Sequence, residues 1–310
     1  MSFSNPPLLL PSSRPPSRVA IRQVGEYTAD LAAILLETLR EFRLPVSGRT
    51  VLLKPNFVGL DPGRVIDTHP AVIGAAREAF LRLGASRVLV GDGPSLERDS
   101  EAIVESLRLR DFIGPLSGTF VDLNVEEPRR ISLRTRASGL QELYLPAAIL
   151  QADFVVSMPK LKTHHWAGVT LSLKNMFGIV PGSCYGWPKN ILHWAGITNA
   201  ILDLNSTVRP DFAIVDGIVG MEGNGPVQGH PKPCGVLVLG EDPVAVDATA
   251  ARIMGLRPER IEHLAKASHL LGHLREEKIG QIGESIRRVR TPFAVLKEFA
   301  HLVDSGARAV

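Results

Sequence analysis

Residues 152–165 read ADFVVSMPKLKTHH. A short β-branched run closed by a polar break has the pattern of a buried strand in a parallel sheet, and it places a strand over 152–160. Beyond it, Lys160 and Lys162 flank Leu161, and His164 and His165 end the stretch. Pro159 biases the residues before it towards extended backbone. Residues two apart in an extended segment face the same way, so Lys160, Lys162 and His164 share a side and His165 faces the other. Close ammonium groups repel, and in a partly buried site they favour a bound anion or a depressed pKa. One such lysine is explained by snorkelling, with its stem packed and its head in water. Three within residues 160–174, counting Lys174 in LSLKNMFG, with Lys54 in a similar setting, argue instead for an anion held between them.

Working outward, β-branched runs alternate with helical patterns. RVAIRQVG (18–25), TVLLKPN (50–56), RVLVGDGP (87–94), DFAIVDG (211–217) and GVLVLGED (235–242) are further strands. Helices are expected over 29–43, from Pro70 to Leu83 with Gly84 as the stop, near 100–110, over 192–205, and from Pro243 through Met254 behind a capping Asp242. This is an α/β fold: a mostly parallel sheet covered by helices, with room for two lobes around a cleft and a β-rich insertion near 118–147. The Pro- and Ser-rich opening, residues 1–17, is expected to be a disordered tail, and 18–310 to be one α/β domain.

Five polar signatures fall just after predicted strands: KPN, GDGP, PKLKTHH, DGIVGMEGNGPVQG and GEDP. The carboxyl ends of parallel strands form the ligand crevice of such sheets, so a shared cleft is expected there. Within it, Lys54, Lys160, Lys162 and Lys174 are candidate anion binders, with Asn56 and Asn175 as hydrogen-bonding aids. His164 is the preferred proton shuttle, since imidazole suits acid–base work near neutral pH, with a lysine, Lys174, as the alternative catalytic group; His69 and His193 are weaker candidates. The glycine-rich stretch offers Gly223 and Gly225 as backbone donors to an anion. Its Glu222 is a candidate acid–base partner, and with Asp216 it admits a divalent metal. Asp92 and Asp216 are supporting carboxylates. Asp247 lies on an apolar helix face with Ala251 and Met254, so it needs a partner, and a site lysine is expected to supply one.

The composition is that of an ordinary soluble protein, with 45% hydrophobic and 22% charged residues and a net charge of +3. No Lys/Arg-dense tract argues for nucleic acid, and no apolar run approaches a membrane span. Cys184 and Cys234 are the two cysteines, too few for a four-thiolate cluster within one chain, so no internal iron–sulfur cluster is expected. Their scarcity fits a reducing cytoplasm. No P-loop, GxGxxG, GxSxG or HExxH is present. Nothing in the sequence gives an oligomeric state.

The elements LLKPNFV, THP, GDGP, PKLKTH…GVTLSLKNMFG, HW, VDGIVGMEGNGP and DPVAVD…MG occur in this order from about residue 50 to 256. In them the chain resembles the domain of unknown function 362 family, some of whose members are fused to ferredoxin-like iron–sulfur modules. That resemblance implies an α/β fold and brings no established reaction. The lysine–histidine arrangement is also similar to that of nickel-pincer racemases such as lactate racemase. The expectation is an enzyme acting by proton transfer, of isomerase, racemase or lyase type, on a small carboxylated or phosphorylated substrate. Its alternatives are a non-catalytic carrier for an anionic metabolite or cofactor, and a redox protein relying on an external iron–sulfur partner.

Overall fold

The structure, a computed structural model, describes residues 14–60 and 65–304. Residues 1–13 of the expected tail therefore lie outside the described residues, and Ser17, its expected end, is the first residue of a strand.

In chain order the strands are β1 (Ser17–Gln23), β2 (Thr50–Pro55), β3 (Arg87–Asp92), β4 (Phe120–Asp122), β5 (Pro128–Ser132) and β6 (Glu142–Pro146). There follow β7 (Phe154–Met158), β8 (Lys160–His164), β9 (Gly168–Thr170), β10 (Phe212–Glu222), β11 (His230–Gly240) and β12 (Ile279–Gly283). One 10-stranded sheet has the order β12-β1-β11-β10-β7-β2-β3-β4, with β8 beside β10 and β9 paired to β8. Only β11 and β9 run against their neighbours; the remaining pairings in this sheet are parallel. The β-rich insertion resolves into β4, on the sheet edge beside β3, and a separate β5–β6 hairpin.

Both faces of the central strands are covered, which is why β2, β7 and β10 are buried along nearly their whole length. Leu53, Val90 and Ile214 pack with Leu35 and Phe80, from the helices Leu31–Phe42 and Pro70–Arg82. Their neighbours Leu52, Leu89 and Val215 pack on the other face with Ile201 and Ala248, from Ile197–Thr207 and Pro243–Ile253. Consecutive residues of one strand thus belong to different cores, as the two-residue period requires.

Two features differ from the sequence reading. The glycine-rich stretch is not a loop up to its last residues, because β10 continues to Glu222 and turns back as β11. Gly217 and Gly220 are strand residues at close packing points. A Cβ on Gly217 would lie 2.9 Å from Leu161 Cδ2, and one on Gly220 would lie 2.7 Å from the Leu161 carbonyl oxygen. The reversal also moves GEDP out of the expected crevice. Gly240 pairs with Val19 and Ala213, near the beginnings of β1 and β10. There Asp242 caps the following helix, accepting from Val244 and Ala245 N–H at 2.9 and 3.2 Å.

Candidate functional site

Pro159 separates β7 from β8 without ending the extended path: β7 pairs with the start of β10, and β8 continues along the same strand. The KLKTH segment is thereby carried past the ends of β2 and β3, where it walls a cavity of about 250 Å³. Lys54, Lys162, Lys174 and Lys189 line this cavity, and among the described residues no aspartate or glutamate does. His164, His165, Trp166 and His193 form an aromatic side with Phe177. Ring centroids lie 5.0 Å apart for His164–His165, 4.7 Å for His165–Trp166, 4.9 Å for Trp166–His193 and 5.7 Å for His193–Phe177.

The cations are held in different ways. Fully buried Lys54 is paired with buried Asp92 and donates to Pro55 O at 2.7 Å and Asn175 Oδ1 at 3.2 Å. Asp92 also accepts from Phe57 N–H at 2.6 Å and Gly93 N–H at 2.9 Å, so it neutralises Lys54 from behind the cavity wall. Lys162 donates to Ile66 O at 2.6 Å, and Lys189 to Gly93 O at 2.6 Å. Lys174 sits over the Phe177 ring, 4.1 Å from its centroid, and has no hydrogen-bond acceptor among the described residues. Burial lowers the pKa of every one of these amines, and takes Lys174 and Lys189 to about 7. Beside Lys162, burial drives the Asp67 carboxyl upward.

Sequence parity places Lys160 with Lys162, but the β8–β10 register breaks between them. Lys160 is opposite Asp216 and Lys162 opposite Met221, with an irregularity in between. Lys160 accordingly lies outside the cavity, donating to Asp216 Oδ2 at 2.8 Å and Tyr27 Oη at 2.7 Å. His69 belongs to the same cluster: its ring stacks on Tyr27, its N–H donates to Asp216, and its Nδ1 caps the helix Pro70–Arg82. His69 and Asp216 are therefore structural neighbours of Lys160 and do not line the cavity.

Glu222 is also elsewhere. It pairs with Lys232 at 3.1 Å and accepts from Ala294 N–H at 2.8 Å, as part of the β10–β11 ribbon. The Gly223 and Gly225 N–H groups are already committed, to Ala294 O at 2.8 Å and Gly223 O at 3.0 Å, so neither can cradle an anion. Gly225 instead presses against β8, where any side chain would collide with the Thr163 carbonyl. Asp247 has no lysine partner. It accepts from Ser172 and Leu173 N–H at 2.7 and 2.9 Å, fixing the start of the short helix that carries Lys174 and Asn175.

Both histidines line the cavity because β8 ends at His164, and the alternation of faces ends with it. Their backbone partners assign opposite tautomers. His164 Nδ1 accepts from Trp166 and Ala167 N–H at 3.0 and 3.2 Å, so the proton resides on Nε2. Burial, and then Lys174, hold this ring well below its usual pKa, which keeps it neutral. His165 Nδ1 lies 2.9 Å from the Gly225 carbonyl, which can only accept, so Nδ1 carries the proton and Nε2 has a free lone pair. The shuttle expected at His164 is thus a donor in this geometry, and the acceptor is His165. Asn56, Asn175 and His193 line the cavity as expected.

Sequence reasoning did not place Lys189, His165 or Thr170 in the site, and all three line the cavity. Asn56 Oδ1 and Thr170 Oγ1 are buried without a hydrogen-bond partner, and both residues face the cavity. Among the described residues no group of three or more His, Cys, Asp or Glu is gathered as a metal site. Cys184 and Cys234 are free thiols. No helix among the described residues is long and apolar enough to cross a membrane.

The lactate racemase apoprotein from Thermoanaerobacterium thermosaccharolyticum is similar at 12% identity and a TM-score of 0.42, over 71% of this chain and 54% of that one. A Thermotoga maritima protein is similar at 15% identity and a TM-score of 0.42, over 76% and 58%. The chain spans little more than half the length of either. A thylakoid-associated protein of Synechocystis sp. is 30% identical over 254 residues, 77% of this chain and 76% of its own length. The model of one family matches residues 51–252, a stretch that holds every lysine and histidine of the cavity. The chain belongs to that family, described as Domain of unknown function (DUF362).

Proposed function

We propose that this protein is an enzyme that binds a small carboxylated or phosphorylated molecule in the four-lysine cavity and moves a proton on it. One observation carries the reading: a cavity of about 250 Å³ is lined by four lysines and, among the described residues, no carboxylate, and two histidines in it are fixed in opposite tautomers. The volume suits a metabolite, being just below the range of drug-sized pockets. Among the described residues only Lys54 of the four has an ion-pair partner, and a bound anion balances the charge of the others. The orphaned Asn56 Oδ1 and Thr170 Oγ1 give that ligand polar partners.

In this reading Lys162, Lys174 and Lys189 hold the anion, and Lys54 with Asn175 shapes the floor. His165 Nε2 is the base. The His164 Nε2–H is a neutral donor to the oxyanion that grows as a carbon-bound proton leaves, an arrangement that lowers the barrier most where water is excluded. Isomerisation, racemisation and elimination all use these parts.

Calorimetric titration of the full chain with oxalate and inorganic phosphate tests the binding step. Micromolar to millimolar affinity that falls sharply in Lys162→Ala and Lys189→Ala is expected. Unchanged affinity in both variants would refute the site. Deuterium exchange into a panel of small carboxylic acids tests the chemistry, and tight binding with no exchange would make the protein a carrier.

A further inference from the structure

The cavity lysines differ in what their nitrogens can do. Lys54, Lys162 and Lys189 each donate to a fixed oxygen, Asp92, Ile66 O and Gly93 O respectively, so their nitrogens are tied to the wall. Lys174 is half-buried on the cavity wall and has no acceptor among the described residues, only the face of Phe177 beneath it. Its backbone, in contrast, is tightly placed, because Asp247 anchors the helix two residues before it. An amine that is rigidly delivered, desolvated, close to other cations and free of acceptors is the arrangement that turns lysine from a charge into a nucleophile.

We propose that Lys174 attacks the carbonyl carbon of the bound anion and forms an imine, which makes the substrate class small oxo acids and phosphorylated carbonyl compounds. This deepens the functional reading above and rests on it. The amine lone pair forms the C–N bond while the carbonyl oxygen gains a proton. The carbinolamine then loses that oxygen as water, which carries away both amine hydrogens. Proton uptake from solvent gives the iminium ion, with no oxidant or reductant involved. Two features of the wall match this sequence. Lys162 and Lys189 hold the anionic end, and His165, which lines the same cavity, removes a proton from the carbon next to the iminium, whose positive nitrogen takes up the electron pair. The amine is available for the first step at neutral pH, since burial and the charge of Lys54 bring its pKa to about 7.

The test is reductive trapping. The full chain is incubated at pH 7 with pyruvate, glyoxylate or glyceraldehyde 3-phosphate in the presence of sodium cyanoborohydride, and the adduct is mapped by peptide mass spectrometry. The expected result is modification at Lys174, about tenfold or more above exposed Lys266 and Lys278, as the difference in free amine predicts. Oxalate, which occupies the anion site but forms no imine, should suppress it. Lys174→Arg should abolish trapping at this position and weaken oxalate binding, read by calorimetry, without abolishing it, because Lys162 and Lys189 remain; Lys266→Arg should leave both trapping and binding unchanged. Lys174→Gln provides a second variant should the arginine fail to fold. If oxalate binds but none of the three carbonyl probes labels Lys174 above the surface lysines, the imine is wrong and the anion site stands. If oxalate does not bind, the functional reading falls and the imine with it.

Discussion

Asp247 holds Lys174 in place without touching it: the carboxylate accepts the Ser172 and Leu173 N–H groups, at the start of the turn that carries the lysine. Burial raises its pKa while those two donors oppose the rise. Asp247→Ala leaves both N–H groups buried and unpaired, at a cost of about 1–3 kcal/mol each. Urea unfolding should show a loss of this order, and anion affinity should fall as Lys174 loses its position. Asp247→Asn keeps an acceptor and should lose less.

The buried Lys54–Asp92 pair predicts an asymmetry between single and double variants. Removing one partner strands a charge in the interior, so Asp92→Ala should destabilise the fold by about 3–5 kcal/mol. Lys54→Met combined with Asp92→Leu should cost less than Asp92→Ala alone. Chemical denaturation of the three variants measures this, and simple additivity would contradict the pairing.

Buried lysines make stability depend on pH with a definite sign. Lys189 titrates at about 7 in the folded protein and at about 10.4 in the unfolded chain. Between those values the unfolded chain binds more protons, so stability should climb as pH rises across that window and level off below 7. Lys189→Met should flatten part of the climb in the thermal midpoint. Anion affinity should run the other way, weakening above pH 7 as Lys174 and Lys189 lose their protons.

The opposite tautomers of the adjacent histidines separate their expected roles. His165→Gln removes the free ring lone pair and should lower turnover by about 10²–10⁴, with binding nearly unchanged. His164→Gln retains a donor and should act mainly on the oxyanion, with a smaller loss. Equal effects of the two substitutions on turnover would contradict the assignment.

Gly225→Ala should be poorly tolerated, because the new methyl group would meet the Thr163 backbone, which has no side-chain freedom to yield. The shift it forces would also move the carbonyl that orients His165. Reduced thermal stability together with reduced turnover is the expected result.

Strands β1, β2, β3, β7, β10 and β11 were legible because their apolar runs are short and end in proline, glycine or charge, as at Lys54-Pro55 and Met158-Pro159, whereas β8, β9 and β12 lack such runs. Placing Lys54 and Lys162 at one rim followed from strand direction, while Lys174 joined them on the density of lysines in 160–174. The direction of β11 was not legible, since an apolar run looks the same whichever way it runs, and the glycines of β10 resemble a binding loop until their packing partners are known. For the same reason Glu222, Gly223, Gly225 and His69 were drawn to the site by residue type, though each serves the framework. Lys160 and Lys162 part company at a register break, which no periodicity encodes. Lys189 lies in SCYGWPKN, a stretch without helical or strand period, so its approach to Gly93 is set entirely by tertiary contacts.

Because β11 runs against its neighbours, it delivers the polypeptide to Asp242, beside the beginning of β1, and one further helix is needed before Asp247 meets Ser172. A fragment truncated after Gly240 would therefore retain all the cavity lysines and yet lack the anchor for the turn beneath one of them. The shortest piece able to keep that turn in register extends into Pro243–Ile253, in line with a family match that ends at 252.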